Sequence, residues 1–201
     1  MEKSKLTFNT EKHEYLVEGI RLPSVTEILQ EGGFIDLSAV RPDVLEAARN
    51  FGNAVHKMAE LWDKGTLEML TLDPQLLPYL EGLKKFEKDY ELSFEPDEIE
   101  QHLFSKVWHF AGTPDRFKKN RGLLIDFKSG TMQPATKLQT AGYDVLIEEN
   151  LRIKIKERLG VQLLPGDYKV YPYKDRTDKI VFLGAVNGYY FKQKHNLLKG
   201  V

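Results

Sequence analysis

Residues 110–128 read FAGTPDRFKKNRGLLIDFK, and how this stretch folds back on itself decides the fold class. Phe110 to Phe117 and Leu123 to Phe127 have the apolar and aromatic texture of strands, and Asn120-Arg121-Gly122 between them is turn chemistry. Ile99 to Val107 reads as a third strand ahead of them, giving a three-strand meander. Downstream, Pro134 opens a helix carrying Leu138, Ala141, Tyr143, Val145 and Leu146 to about Glu149. A further hairpin turns at Pro165-Gly166-Asp167, with Tyr168 to Tyr171 as its second arm, and Asp178 to His195 reads as a closing helix.

Upstream the texture is helical. Leu6-Thr7-Phe8 and Tyr15-Leu16-Val17 predict a small hairpin, and Ser24-Val25-Thr26-Glu27 predicts a capped helix start. That short helix should stop at Gly32-Gly33. Pro42 suits the first turn of a helix to about Trp62, with Val44, Leu45, Ala48, Phe51, Val55, Met58, Ala59 and Trp62 as its apolar stripe and Gly52 as a point of interruption. Asp73-Pro74 starts another, in which Leu76, Leu77, Leu80, Leu83, Phe86 and Tyr90 keep the 3.6-residue period. The order helices, meander, helix, strands, helix implies a mixed α/β domain with helices packed on a sheet.

The 201 residues suffice for one domain, residues 1–201, whose core is expected over about 40–195 behind the N-terminal hairpin and short helix. There is no cysteine, which excludes disulfides, thiolate nucleophiles, zinc–thiolate sites and iron–sulfur clusters. The opening Met1-Glu2-Lys3-Ser4-Lys5 lacks the apolar core of a secretory signal, and no apolar run approaches the roughly 20 residues of a membrane span, so the expectation is a cytoplasmic protein without a membrane partner. Net charge is only −1, but it is segregated. Residues 60–100 hold 12 acids against 4 Lys/Arg, and residues 101–201 hold 18 Lys/Arg against 9 acids, so the second half could seat a polyanion.

Within the deciding stretch, Gly112-Thr113-Pro114-Asp115 is followed after ten residues by Asp126-Phe127-Lys128, and then by Gln139-Thr140-Ala141-Gly142-Tyr143. If Asp115 and Asp126 lie on adjacent antiparallel strands, their carboxylates reach one point at the sheet end. With a backbone carbonyl they make the hard oxygen cage that Mg²⁺ or Mn²⁺ prefers. Asp126 and Lys128 are two apart on a strand, so they leave the same face, and the ammonium would sit beside a scissile phosphate. The pattern acid-x-Lys recurs at Asp167-Tyr168-Lys169, but without the other elements around it. Gly52, His56 and Glu60 share one helix face, and neutral imidazole is a competent Mn²⁺ ligand.

This set, a helical Gly-x-x-x-His, then Gly-x-x-Asp, Asp-x-Lys and Gln-x-x-x-Tyr, resembles the RecB-type branch of the PD-(D/E)XK nuclease superfamily. Leu22 to Leu29 is similar to the opening segment of its small stand-alone members, which include phage-type exonucleases and the mitochondrial genome maintenance exonuclease. The likeness spans roughly residues 20–190 and implies a restriction-endonuclease-like mixed sheet flanked by helices. It further implies that His56, Asp115, Asp126 and the carbonyl of Phe127 bind Mg²⁺ or Mn²⁺, that Lys128 is the catalytic lysine, and that Gln139 and Tyr143 place the DNA and the catalytic core. The chain departs from the branch's iron–sulfur members in having no cysteine, and it carries no helicase motifs. A helicase, annealing or recombination protein is therefore the kind of partner such a nuclease would use.

The expected reaction is hydrolysis of DNA phosphodiesters to a 5′-phosphate and a 3′-hydroxyl, by an exonuclease serving recombination, repair or replication. A structure-specific endonuclease or nickase is the alternative within enzymes, and a catalytically inactive DNA-binding nuclease fold the alternative outside them. Glu60 and Glu100 are both candidates for a further metal-facing acid. Lys118, Lys119 and Arg121 cluster at a hairpin tip, where they either face solvent or touch phosphate. Arg152, Lys154, Lys156 and Arg158 alternate with Ile153, Ile155 and Leu159, either as a solvated face or as a basic stripe along a strand.

Overall fold

The computed structural model describes residues 5–10 and 12–198. Met1 to Ser4, read above against a secretory signal, and Glu11 of the first hairpin lie outside the described residues. The expected hairpin is the first part of a small antiparallel meander, β1 (Leu6–Asn9), β2 (Glu14–Val17) and β3 (Ile20–Leu22). Helix α1 (Val25–Glu31) follows, and the Ser24 hydroxyl accepts the Glu27 N–H at 3.0 Å as its N-cap. Only half of the capping box forms. The Glu27 carboxylate turns to Arg21 at 2.8 Å and to the Tyr189 hydroxyl at 2.7 Å, because ionic partners are worth more there than a backbone N–H.

Helix α2 (Pro42–Asp63) runs 22 residues without a break at Gly52. Its apolar stripe is only partly used. Val55, Met58 and Ala59 are buried, whereas Val44 is 50% exposed, since the first turns reach past the body of the protein. After a 3-10 turn at Pro74–Leu76 comes α3 (Leu77–Asp89), which buries Leu80, Leu83 and Phe86. A Cβ at Gly82 would collide with the Asp167 carbonyl oxygen, so only glycine lets α3 lie this close to the turn at Pro165-Gly166-Asp167.

The expected three-strand meander is broken. Its first arm shrinks to β4 (Leu103–Phe104) and its second splits into β5 (Ala111–Gly112) and β6 (Arg116–Lys118). Pro114, which has no N–H to give a ladder, separates β5 from β6. A left-handed Glu100, φ +48°, ends the pairing of Ile99 with Arg116 after one bridge. The turn around Asn120-Arg121-Gly122 leads as expected into β7 (Leu123–Lys128). Helix α4 (Thr136–Leu151) then crosses over to β8 (Glu157–Leu164), parallel to β7, and β9 (Asp167–Tyr173) returns antiparallel ahead of α5 (Asp178–Lys194).

The main sheet therefore has the order β6-β7-β8-β9. Strand β7 is covered on both faces, and its alternation sorts the molecule into layers. Leu123, Ile125 and Phe127 join the core beneath α2 and α3, while Leu124 joins the core formed by α1, α4 and α5. Asp126 and Lys128 continue the Leu124 side. Arg158, read above as part of a solvated face or a basic stripe, is instead buried in an ion pair with Asp178 at 2.8 Å, which ties β8 to the first turn of α5. Among the described residues, no helix is long and apolar enough to cross a membrane.

Candidate active site

The antiparallel register pairs Arg116 with Ile125, so Asp115 arrives directly beside Asp126. The Phe127 N–H donates to Asp115 Oδ2 at 2.6 Å, which pins that carboxylate to β7. His56, from the middle of α2, places Nδ1 3.4 Å from Asp115 Oδ1. The Glu100 N–H donates to the Asp115 carbonyl at 3.1 Å. One ligand atom each from His56, Glu100 and Asp115 falls within 4.8 Å of the others. Lys128 reaches back along the strand, with Nζ 2.6 Å from Asp126 Oδ2.

Of the two acids weighed for the cluster, the structure brings in Glu100. Glu60 is already engaged by Lys57 at 2.8 Å and Lys64 at 2.7 Å. Glu100 reaches the cluster at some cost, since a left-handed backbone disfavours a non-glycine residue by about 1–2 kcal/mol. Lys118, Lys119 and Arg121 are not brought to it. They sit at the opposite end of β7, where Lys118 pairs with Glu98, Lys119 with Asp97, and Arg121 donates to the Tyr90 carbonyl.

The electrostatics are those of an acid-rich pocket. Burial pushes Asp126 up to about 6, with the nearby Asp115 charge adding to it against the pull of Lys128. Burial likewise lifts Glu100, with help from Asp115, to about 8. Asp115 goes the other way: burial opposes its charge, but His56 and Lys128 outweigh it and bring it down to about 2. Burial would lower His56 and Lys128, yet in each case the neighbouring carboxylates prevail and the group ends raised. The fully buried Asp126 has Lys128 as its one close charged partner. Lys128 pairs with Oδ2, and Oδ1 has no hydrogen-bond partner.

A buried polar chain that the sequence did not suggest stands behind the cluster. The Arg116 side chain is 0% exposed; its guanidinium donates to Asp63 at the end of α2, to Glu100 Oε1 at 3.3 Å and to the Asp115 carbonyl. Beyond Asp63, burial and the Asp63 carboxylate raise Glu87 to about 9, and Glu87 accepts from Trp62 Nε1 at 3.0 Å. On the other side of the cluster, Gln139 Nε2 donates to the Tyr143 hydroxyl at 3.0 Å. Burial, then Asp126 and Asp115, raise that hydroxyl well above its ordinary value, so the ring serves the core and presents its polar end to the acids.

Two glycines admit these parts to different degrees. A Cβ at Gly112 would lie 2.9 Å from Tyr143 Cε1, so the glycine three residues before Asp115 makes room for the tyrosine. A Cβ at Gly52 would meet only Ser129 Oγ, at an ordinary 3.7 Å; α2 does come close to the end of β7, but that approach would tolerate alanine.

No protein-family model matches the chain, and no curated protein sequence does. Among solved structures, the fold is similar to that of a protein from Eubacterium rectale described as a "Putative exonuclease". The match has a TM-score of 0.52 at 12% identity, over 74% of this chain and 69% of that one. At such identity the likeness concerns the fold.

Proposed function

We propose that this chain is a divalent-metal-dependent DNA nuclease of the PD-(D/E)XK type, and within it the RecB-like branch. The observation that carries the reading is the convergence of His56, Glu100 and Asp115 on one point, beside the buried Asp126 carboxylate, which pairs with Lys128 through Oδ2 and leaves Oδ1 without a hydrogen bond. A buried carboxylate oxygen without a hydrogen bond is costly unless a ligand completes it. Carboxylate oxygens with one imidazole are the donor set of Mg²⁺ or Mn²⁺. His56, Glu100, Asp115 and Asp126, with the Phe127 carbonyl, would hold the ion. Bound there, it would neutralise phosphate charge and acidify water.

The chain's own residues supply the rest. Water attacks phosphorus in line with the leaving 3′-oxygen, the P–O3′ bond breaks, and the products carry a 5′-phosphate and a 3′-hydroxyl. Lys128, kept charged by Asp126, offsets the negative charge that grows on the phosphoryl oxygens. Asp115, locked by the Phe127 N–H, fixes the spacing between the two carboxylates. Gln139 and Tyr143 orient the strand from the α4 side.

An exonuclease is the subtype the reading favours, acting in the cytoplasm in recombination, repair or replication. The solved structure named above carries the description "Putative exonuclease", and its fold is similar to this one. The test is incubation with 5′- and 3′-labelled oligonucleotides and closed single-stranded circles, in Mn²⁺ and in EDTA. Stepwise loss from linear ends in Mn²⁺ alone, with circles surviving, is expected. Rapid cutting of circles would move the assignment to an endonuclease or nickase, and binding without cleavage to an inactive DNA-binding fold.

A further inference from the structure

Four aromatic rings gather beside the acid cluster, none of them used in the chemistry above. Phe8 on β1 lies opposite Tyr15 on β2, with ring centres 4.8 Å apart. His102, just before β4, lies 4.4 Å from Phe8 at an interplanar angle of 31°, and His13 meets Phe8 edge-on at 5.0 Å. The hydrophobic cluster of the small sheet is Tyr15, Leu22, Phe104 and Ala111, with Phe8 packed against its rim and the two histidines outside it. Both histidines are exposed and Phe8 is half-buried.

This group is fastened to the catalytic segment. Thr113 Oγ1 lies 2.7 Å from His102 Nδ1 and 2.7 Å from the Tyr15 hydroxyl. Thr113 is two residues ahead of Asp115, so the rings are held at a fixed offset from the carboxylates. Two exposed imidazoles and a half-buried phenyl ring, held beside the proposed phosphate-cleaving site, match the flat face of a nucleobase. In a duplex both faces of a base are covered by its neighbours, whereas an unpaired base can lay one on a protein ring.

We propose that Phe8, His13 and His102 form a stacking platform for an unpaired base next to the scissile phosphate, which makes single-stranded DNA ends the substrate. The inference rests on the nuclease reading and adds to it the strand class. Stacking on such a ring changes affinity by roughly 5- to 150-fold per base.

The experiment measures KM and kcat in Mn²⁺ on a single-stranded oligonucleotide, intact or carrying one abasic position placed in turn along its end. Wild type, His102→Ala and Phe8→Leu are compared. In wild type, one abasic position near the cleaved bond should raise KM at least fivefold, and cleavage of single strands should exceed that of the blunt duplex. In the variants KM on intact DNA should rise comparably, and the abasic penalty should vanish. A wild type indifferent to every abasic position, a preference for duplex, or an undiminished penalty in both variants would overturn the platform while leaving the nuclease reading standing. Failure of wild type to cleave any DNA would remove both.

Discussion

Replacing Arg116 with methionine tests whether the buried chain holds the acid cluster in place. Methionine keeps the length and apolar contacts of the side chain and removes only the guanidinium. The lost partners are Asp63, Glu100 and the Asp115 carbonyl, around an arginine with no exposed side-chain surface. Asp63 is 3% exposed, so its charge would be left without a neutraliser. Removing one member of such a buried pair costs about 3–5 kcal/mol. For a chain of this size that corresponds to roughly 6–20 °C in melting temperature. Thermal unfolding followed by circular dichroism would measure it, with Arg116→Met/Asp63→Asn as the control. Taking away both charges should recover part of the loss, because the remaining groups no longer oppose burial. A melting temperature within about 2 °C of wild type for the single variant would refute the assignment.

Glu87 predicts a pH effect of definite sign. Raised from 4.5 to about 9, it keeps a proton in the native state that the unfolded chain releases, so stability on its account falls as pH rises through that interval. Glu87→Gln imitates the protonated form, and its unfolding midpoint in urea should decline less than that of wild type between pH 6 and 9; parallel curves would contradict this. Gln139→Ala should weaken cleavage with Mn²⁺ affinity unchanged by calorimetry, since Gln139 touches Tyr143 rather than the acids, and a large drop in affinity would reassign that face. Gly112→Ala should lower stability by about 1–3 kcal/mol through overpacking and reduce cleavage as well, because its new Cβ meets Tyr143, Val25 and Leu146 within 3.2 Å. A variant with wild-type melting and activity would show that the tyrosine can give way.

The strand Leu123–Lys128 was legible because its signal is periodic. A two-residue alternation sets Asp126 and Lys128 on one face whatever happens elsewhere, and the pairing of β6 with β7 needs only the turn at Asn120-Arg121-Gly122. The helix that carries His56 was legible for the same reason, by the spacing of its apolar residues. The choice of Glu100 over Glu60 was not, since it depends on which acid finds surface lysines first and on a left-handed residue that no propensity favours. Arg116, Asp63 and Glu87 were equally hidden. Each is a residue type that belongs on the surface by default, and only the meeting of α2, α3 and β6 buries them together. The amphipathic stripe of α2 promised more burial than exists, because periodicity reports which face is apolar and not whether a neighbour reaches it. The arms of the meander failed at Pro114 and at Glu100, where backbone constraints cut short a favourable composition.

The central claim is that this cluster hydrolyses DNA, and Lys128 is its most direct probe. Removing a charge stabiliser at the reacting phosphate typically costs on the order of 10²–10³ in rate. The decisive measurement is single-turnover cleavage of a 5′-labelled single-stranded oligonucleotide in Mn²⁺ by wild type and Lys128→Ala, with melting temperatures recorded alongside. Robust cleavage by wild type and a loss of at least a hundredfold in a folded variant are predicted. Near-normal cleavage by Lys128→Ala, or none by wild type, would contradict the account.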